Sequence, residues 1–285
     1  MQIISDTMSR LSRILKVTRS YRGLFNERLT DFLYRCLARK KYEGITWLEQ
    51  EGILIHFQSD DYIGRKVWMQ GVYESEIRDV MAGLVKEDAV VLDIGANIGI
   101  QSLRLSRMVG SKGKVYAFEP IPYTRGLLEK NISLNAAANI TVFPYALGDI
   151  NETVTIRFSE QTDNLGAVTL RNGDGKGNLQ VDVRRGDELI AEHHIERISF
   201  IKIDVEGFEW KVLKGLSGTI RAQRPMIILE WDTNYQGESG VTPADWNSFL
   251  SEYNYKLYQV HDSFLEPVER FEEASLSNLL LLPRP

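Results

Sequence analysis

The run Val90-Val91-Leu92-Asp93-Ile94-Gly95-Ala96-Asn97-Ile98-Gly99 constrains the fold of this chain more than any other stretch. Its apolar start reads as a strand covered on both faces of a parallel sheet, and Gly95 and Gly99 read as a tight turn leading into a helix. That helix, expected to begin near Asn97, would aim its unpaired N–H groups at whatever lies over the carboxyl end of the strand. Strand, glycine turn and helix in this order make the ligand cradle of an open α/β sheet.

Strand and helix then alternate along the chain. Strands are predicted near 90–94, 114–119, 140–145, 199–205 and 226–231, and helices near 74–86, 98–108, 123–135 and 207–220. Such alternation implies a parallel sheet wound by right-handed crossovers. Ile53–Phe57 reads as an earlier strand ending in the turn Ser59-Asp60-Asp61. Between about 151 and 186 the period falls to two around Asn172-Gly173-Asp174-Gly175, which predicts an inserted antiparallel hairpin. Tyr255–His261 and Leu279–Leu282 supply two late strand candidates.

Two acidic strand tips bear on what the cradle holds. A dinucleotide fingerprint asks for Gly-x-Gly-x-x-Gly, but Asn97 and Ile100 stand where its second and third glycines belong, which weakens a nicotinamide reading. Asp93, two residues before Gly95, can receive an ammonium group directly or through water. Lys114-Val115-Tyr116-Ala117-Phe118 ends in Glu119-Pro120, and Glu119 lies twenty residues beyond Gly99, where a carboxylate can accept both ribose hydroxyls. S-adenosylmethionine (SAM) carries an ammonium, a ribose and a carboxylate suited to a helix N-terminus.

These residues resemble the FkbM family of SAM-dependent methyltransferases from about Gly71 to about Trp231. Gly71-Val72-Tyr73-Glu74 is similar to the family's entry segment, and Val91–Gly99 to its first SAM motif. Ala117-Phe118-Glu119-Pro120 with Asn131 and Asn135 resembles the ribose strand and its helix, and Ala146-Leu147-Gly148-Asp149 the turn after the next strand. Phe200–Glu209 matches the family's most distinctive run, and Pro225 with Glu230 matches the strand after it. The resemblance implies a Rossmann-like class I methyltransferase sheet, mostly parallel and seven-stranded, with the inserted hairpin and a helical N-terminal arm as additions. It also implies that Glu74 lines the methionine end of the cofactor and that Ala146 and Leu147 border the adenine. The expected cofactor-binding set is therefore Glu74, Asp93, Gly95, Ala96, Asn97, Glu119, Pro120, Ala146 and Leu147.

Chemistry is expected where the fourth strand ends. As an extended strand, Phe200, Lys202, Asp204 and Glu206 share one face. A lysine inside a covered strand needs a partner, for which Asp204, Glu206 and Glu230 are the candidates. Methyl transfer is an in-line displacement that requires a positioned acceptor and removal of its proton. Paired carboxylates suit that task, so Asp204 and Glu206 are the expected catalytic residues, one as general base and the other orienting the acceptor. Trp231 is a candidate to pave the acceptor site, and His261 is an outside candidate for the base. The four histidines show no metal-ligand spacing, so no metal is expected; Mg²⁺ on Asp204, Glu206 and Glu230 is the alternative.

Two absences narrow the reaction. No Asn/Asp-Pro-Pro-aromatic tetrad follows the fourth strand, and the lone Cys36 lies in the arm, so O-methylation is expected. Charge argues in the same direction: residues 1–41 carry a balance of +7 and the remainder −12, and an acidic body disfavours nucleic acid. One cysteine and no apolar run of membrane length predict a soluble, cytoplasmic protein. The expected organisation is a basic helical arm over residues 1–50 followed by a methyltransferase domain over 51–285. The arm's apolar stripe is expected to pack on the body or on a second copy in a homodimer, with peripheral docking to an anionic membrane surface as the alternative. The expected acceptor is a small-molecule hydroxyl on a sugar or specialised metabolite. A lipid-linked or polymeric glycan, or a non-catalytic SAM-binding module, are the competing readings.

Overall fold

The structure is a computed structural model that describes residues 43–58, 61–158, 177–232, 240–275 and 277–285. The expected arm helices before residue 43, and the strand and turn expected over 167–175, lie outside the described residues. The chain divides into two compact units, 1–73 and 74–285.

In the first unit, β1 (Glu43–Leu48) and β2 (Ile53–Gln58) form an antiparallel hairpin paired from Glu43↔Gln58 to Leu48↔Ile53. Residues 53, 55 and 57 of β2 are buried and 54, 56 and 58 are not, the alternation of a sheet with one covered face. Helix α1 (Tyr62–Gln70) follows at once, because Asp61 accepts a hydrogen bond from the Gly64 amide and Gly71, in the left-handed conformation, ends it. Asp61, the last residue of the turn expected there, is thus the cap of a helix that the sequence pattern did not announce.

The second unit is the α/β sheet. Its elements are α2 (Ser75–Leu84), β3 (Val90–Ile94), α3 (Ile100–Val109), β4 (Lys114–Phe118), α4 (Pro122–Leu134), β5 (Ile140–Phe143), β6 (Ala146–Gly148), β7 (Glu152–Phe158) and β8 (Gly177–Arg185). They continue as α5 (Gly186–Glu192), β9 (Ile198–Ile203), α6 (Glu209–Gly215), α7 (Ser217–Gln223), β10 (Met226–Trp231), α8 (Pro243–Tyr253), β11 (Tyr255–Val260), β12 (Leu265–Val268) and β13 (Ser277–Pro283). Strands lie in the order β12-β11-β13-β10-β9-β3-β4-β5. The five from β10 to β5 run parallel, and β13, β11 and β12 are antiparallel to their neighbours. This is the Rossmann-like class I methyltransferase arrangement, with eight described strands rather than seven because the short edge strand β12 pairs with β11. Its sequence, Leu-Glu-Pro-Val, carries too little apolar alternation to announce a strand.

Both faces of the sheet are covered, and the strands record it residue by residue. Leu92, Ile94, Ile201, Ile203, Ile227, Leu229, Leu279 and Leu281 belong to one apolar cluster, while their alternates Val91, Phe200, Ile228 and Leu280 belong to a second. No helix among the described residues is long and apolar enough to cross a membrane. Beside the main sheet, β7 and β8 pair antiparallel from Glu152↔Val183 to Phe158↔Gly177, and β6 joins β8 in parallel. The segment expected as one helix over 207–220 is two, α6 and α7, separated at Leu216. The chain leaves β3 outward through β4 and β5 and returns to the other side of β3 at β9, so the strand order reverses between β3 and β9. Ligands of open α/β sheets lie over the carboxyl ends at that point.

Candidate active site

Two turns face each other there. The first follows β3. Gly95 has φ +81, and its amide and that of Ala96 both donate to the Phe118 carbonyl at 3.0 Å, folding the turn back on β4. A Cβ on Gly95 would stand 1.8 Å from the Asp204 carbonyl oxygen, and one on Gly99 would stand 2.4 Å from the Leu128 side chain. Both glycines therefore allow close packing of the protein on itself. Helix α3 begins at Ile100, three residues after the expected start, because Asn97 and Gly99 both take positive φ. The amides of Asn97, Ile98 and Gly99 are all engaged within the chain: Asn97 with Glu119, Ile98 with the Asn97 side chain, Gly99 with the Ala96 carbonyl.

Glu119, at the tip of β4, is 5% exposed and accepts hydrogen bonds from Asn97 (2.9 Å, Oε2) and Ile121 (2.8 Å, Oε1). Burial pushes its carboxyl up to about 7, against the pull of those two amides. A carboxylate offers about four lone pairs, so two acceptor positions remain for a diol. Pro120 contributes its carbonyl, which with that of Glu119 accepts from Arg125. Behind the turn, Asn131 is fully buried and donates to the Ile98 carbonyl at 2.8 Å, while Asn135 donates to the Asn131 carbonyl. Ala146 and Leu147 are buried on β6. Glu74, at the start of α2 with φ +39, receives Gln101 Nε2 at 2.8 Å on its carboxylate and Arg104 on its carbonyl.

Asp93 is fully buried, and its carboxylate accepts from the Ser102 hydroxyl. Directly across the strand pair it faces Lys202, with Oδ1 3.7 Å from Nζ. The ammonium that meets Asp93 is thus the chain's own. Burial raises the Asp93 carboxyl above its ordinary value, opposed by Lys202 and Ser102. Lys202 Nζ also lies 2.9 Å from Asp204 Oδ2 and 3.4 Å from the Gly95 carbonyl. Burial disfavours its charge, but Asp204, Asp93 and Glu74 outweigh that and push the ammonium's pKa up. Of the partners expected for Lys202, the structure brings Asp204, and it adds Asp93 and Gly95 from the neighbouring strand and turn.

The second turn follows β9. The strand ends at Ile203, so Asp204 and Glu206 are not carried on a strand face as expected. Instead Glu206 takes φ +53 and Gly207 φ +95. Asp204, Glu206 and Glu230, at the tip of β10, each bring one carboxylate oxygen within 4.8 Å of the other two. A divalent cation can bridge oxygens so spaced. Burial first, then Asp204 and Glu206, pushes the Glu230 carboxyl up to about 9, and its Oε2 is buried without a hydrogen-bond partner. Glu209 opens α6 at 1% exposure, with Oε1 accepting from Val205 at 3.3 Å and Gly207 at 3.0 Å. Its carboxyl is raised to about 7 by burial.

One sequence expectation falls away here. Trp231 is 3% exposed and packs edge-on against Trp246 and tilted on Phe271, so it belongs to the core and paves no acceptor site. His261 engages Glu266 at 2.8 Å and stacks on Phe264. Conversely, Ser102, Gln101 and Glu209 complete the site without having been singled out.

The model of the methyltransferase FkbM domain matches residues 93–257. Among curated proteins, the chain is 26% identical over 253 residues to the AMB antimetabolite synthetase AmbE of Pseudomonas aeruginosa, covering 76% of this chain but 12% of that protein. It is 28% identical over 179 residues to the hexuronic acid methyltransferase AglP of Haloferax volcanii, covering 63% of this chain and 68% of that one. It is 26% identical over 177 residues to the 2-O-methyltransferase NoeI of Sinorhizobium fredii, covering 56% and 71%.

Proposed function

This chain belongs to the FkbM methyltransferase family, and from that premise we propose that it transfers a methyl group from SAM to a hydroxyl of a sugar or sugar-bearing metabolite. The observation that carries the proposal is the pairing of a ribose-competent Glu119 on one side of the switch point with the Asp204, Glu206 and Glu230 carboxylates on the other. Sugar acceptors are favoured by the names of two relatives, one acting on a hexuronic acid and one 2-O-directed.

The residues present fit the cofactor. Glu119 retains acceptor positions for the ribose hydroxyls, and Glu74 places a partly exposed carboxylate beside the crevice for the methionine ammonium. Asp93, Gly95, Ala96 and Asn97 form the floor and turn beneath it, with Pro120, Ala146 and Leu147 on the adenine side. SAM, when bound, supplies an electrophilic methyl group. Asp204 or Glu206 takes the acceptor's proton as its oxygen attacks, and the other holds the hydroxyl in line. Lys202 keeps Asp204 fixed through the 2.9 Å ion pair. The protein works without a resident metal in this reading and sits in the cytoplasm, with Cys36 reduced.

Purified protein incubated with methyl-labelled SAM and a panel of sugars, glycosides and hydroxylated metabolites tests the proposal. Label is expected in an O-methyl product, with activity surviving a strong chelator. Label in no hydroxyl compound, alongside SAH (S-adenosylhomocysteine) binding, would favour a non-catalytic binding module instead.

A further inference from the structure

Glu206 and Gly207 take positive φ in succession, and a residue other than glycine persists there only where its surroundings hold it. This turn matters because it is what gathers the acids. Asp204 is anchored at one end: its amide donates to the Ile94 carbonyl at 3.0 Å, and its carbonyl packs against Gly95. Two further amides of the turn converge on one atom. Glu209 Oε1 accepts from Val205 and from Gly207, the residues on either side of Glu206. The Glu209 side chain is 1% exposed, so water does not compete for those amides.

We infer that Glu209 is a positioning residue whose buried Oε1 clamps the turn on both sides of Glu206, thereby setting Glu206 against Asp204 and Glu230. It touches neither cofactor nor acceptor. The inference rests on the functional reading above for its effect on turnover, but the clamp itself is a property of the folded chain.

Two substitutions in the full-length protein separate the possibilities. Glu209→Ala removes the acceptor oxygen, while Glu209→Gln keeps a carbonyl oxygen at the same reach. Hydrogen exchange at the Val205 and Gly207 amides, kcat, KM for the acceptor and the Kd of SAH are measured for each. In Glu209→Ala, exchange at those two amides is expected to accelerate at least about tenfold and kcat to fall at least about tenfold. SAH affinity should stay within about threefold and exchange in β3 and β10 should be unchanged. Glu209→Gln is expected to restore protection at both amides and at least about a third of kcat. Protection that survives in Glu209→Ala overturns the clamp, as does Glu209→Gln failing as completely as Glu209→Ala. Parallel loss of SAH affinity and of exchange protection throughout the sheet would make Glu209 a general structural residue. If the unsubstituted protein methylates no acceptor, the functional reading fails, and the exchange measurements still decide the clamp.

Discussion

The two turns at the switch point are built on opposite plans. The turn after β3 satisfies itself: Glu119 is bridged by two amides, the Asn97, Ile98 and Gly99 amides all have partners in the chain, and the glycines allow close packing. The turn after β9 instead gathers acids, with one oxygen from each of three carboxylates within 4.8 Å of the other two and the Glu230 and Glu209 Oε2 atoms buried without hydrogen-bond partners. A surface that must hold one invariant cofactor profits from being finished in advance. On the function proposed above, the second turn takes the acceptor's proton, a task for which closely gathered acids are suited.

The contrast breaks most readily at the acids. Asp204→Asn and Glu206→Gln, assayed separately, are expected to lower kcat for at least one of them by about 10²–10⁴-fold with SAH affinity within about threefold. Near-normal turnover in both would erase the division of labour. Next in size is the lysine that spans the two turns. Lys202→Met leaves the fully buried Asp93 without its cation and should destabilise the protein by about 3–5 kcal/mol in chemical denaturation. Adding Asp93→Asn to Lys202→Met should recover part of that loss, and no recovery would show that the charge pair is not its source.

On the cofactor side, Glu119→Ala should weaken SAH binding by roughly 10- to 150-fold, the worth of charge-assisted hydrogen bonds, while leaving kcat at saturation nearly intact. A fall in kcat with unchanged affinity would reverse the assignment of the two turns. The smallest expected effect is one of pH. With its folded-state value raised to about 7, Glu119 is mostly protonated at pH 6 and mostly ionised at pH 8. Ribose hydroxyls donate to the ionised form, so SAH affinity should rise about tenfold from pH 6 to pH 8, and Glu119→Gln should abolish that dependence. Affinity that is flat in the unsubstituted protein would place the ribose elsewhere.

Much of the first turn was legible in the sequence because its logic is local. Val90–Ile94 is β3 to the residue, and Lys114–Phe118 is β4 but for the tip, since apolar runs flanked by glycine or acid admit few alternatives. The second turn was only half legible. Asp204 and Glu206 drew notice as acids at a strand tip, but the periodicity that put them on one face was the wrong cause, because the strand stops at Ile203 and a left-handed turn does the gathering. Backbone conformation of this kind leaves no pattern in side-chain hydropathy. Helices α1 and α8 did leave signals: Asp61 caps one, and Thr242 with Asp245 forms the capping box of the other. Helix α5 starts with Gly186 and no side-chain cap, and its seven residues are too few to establish a helical period.

A crystal structure of the protein with SAH bound tests the central claim most directly. The ligand should lie over the carboxyl ends of β3 and β9, with both ribose hydroxyls on Glu119 and the sulfur facing the Asp204 and Glu206 carboxylates. An empty crevice at saturating SAH, or a ribose that leaves Glu119 bound only to Asn97 and Ile121, would contradict it.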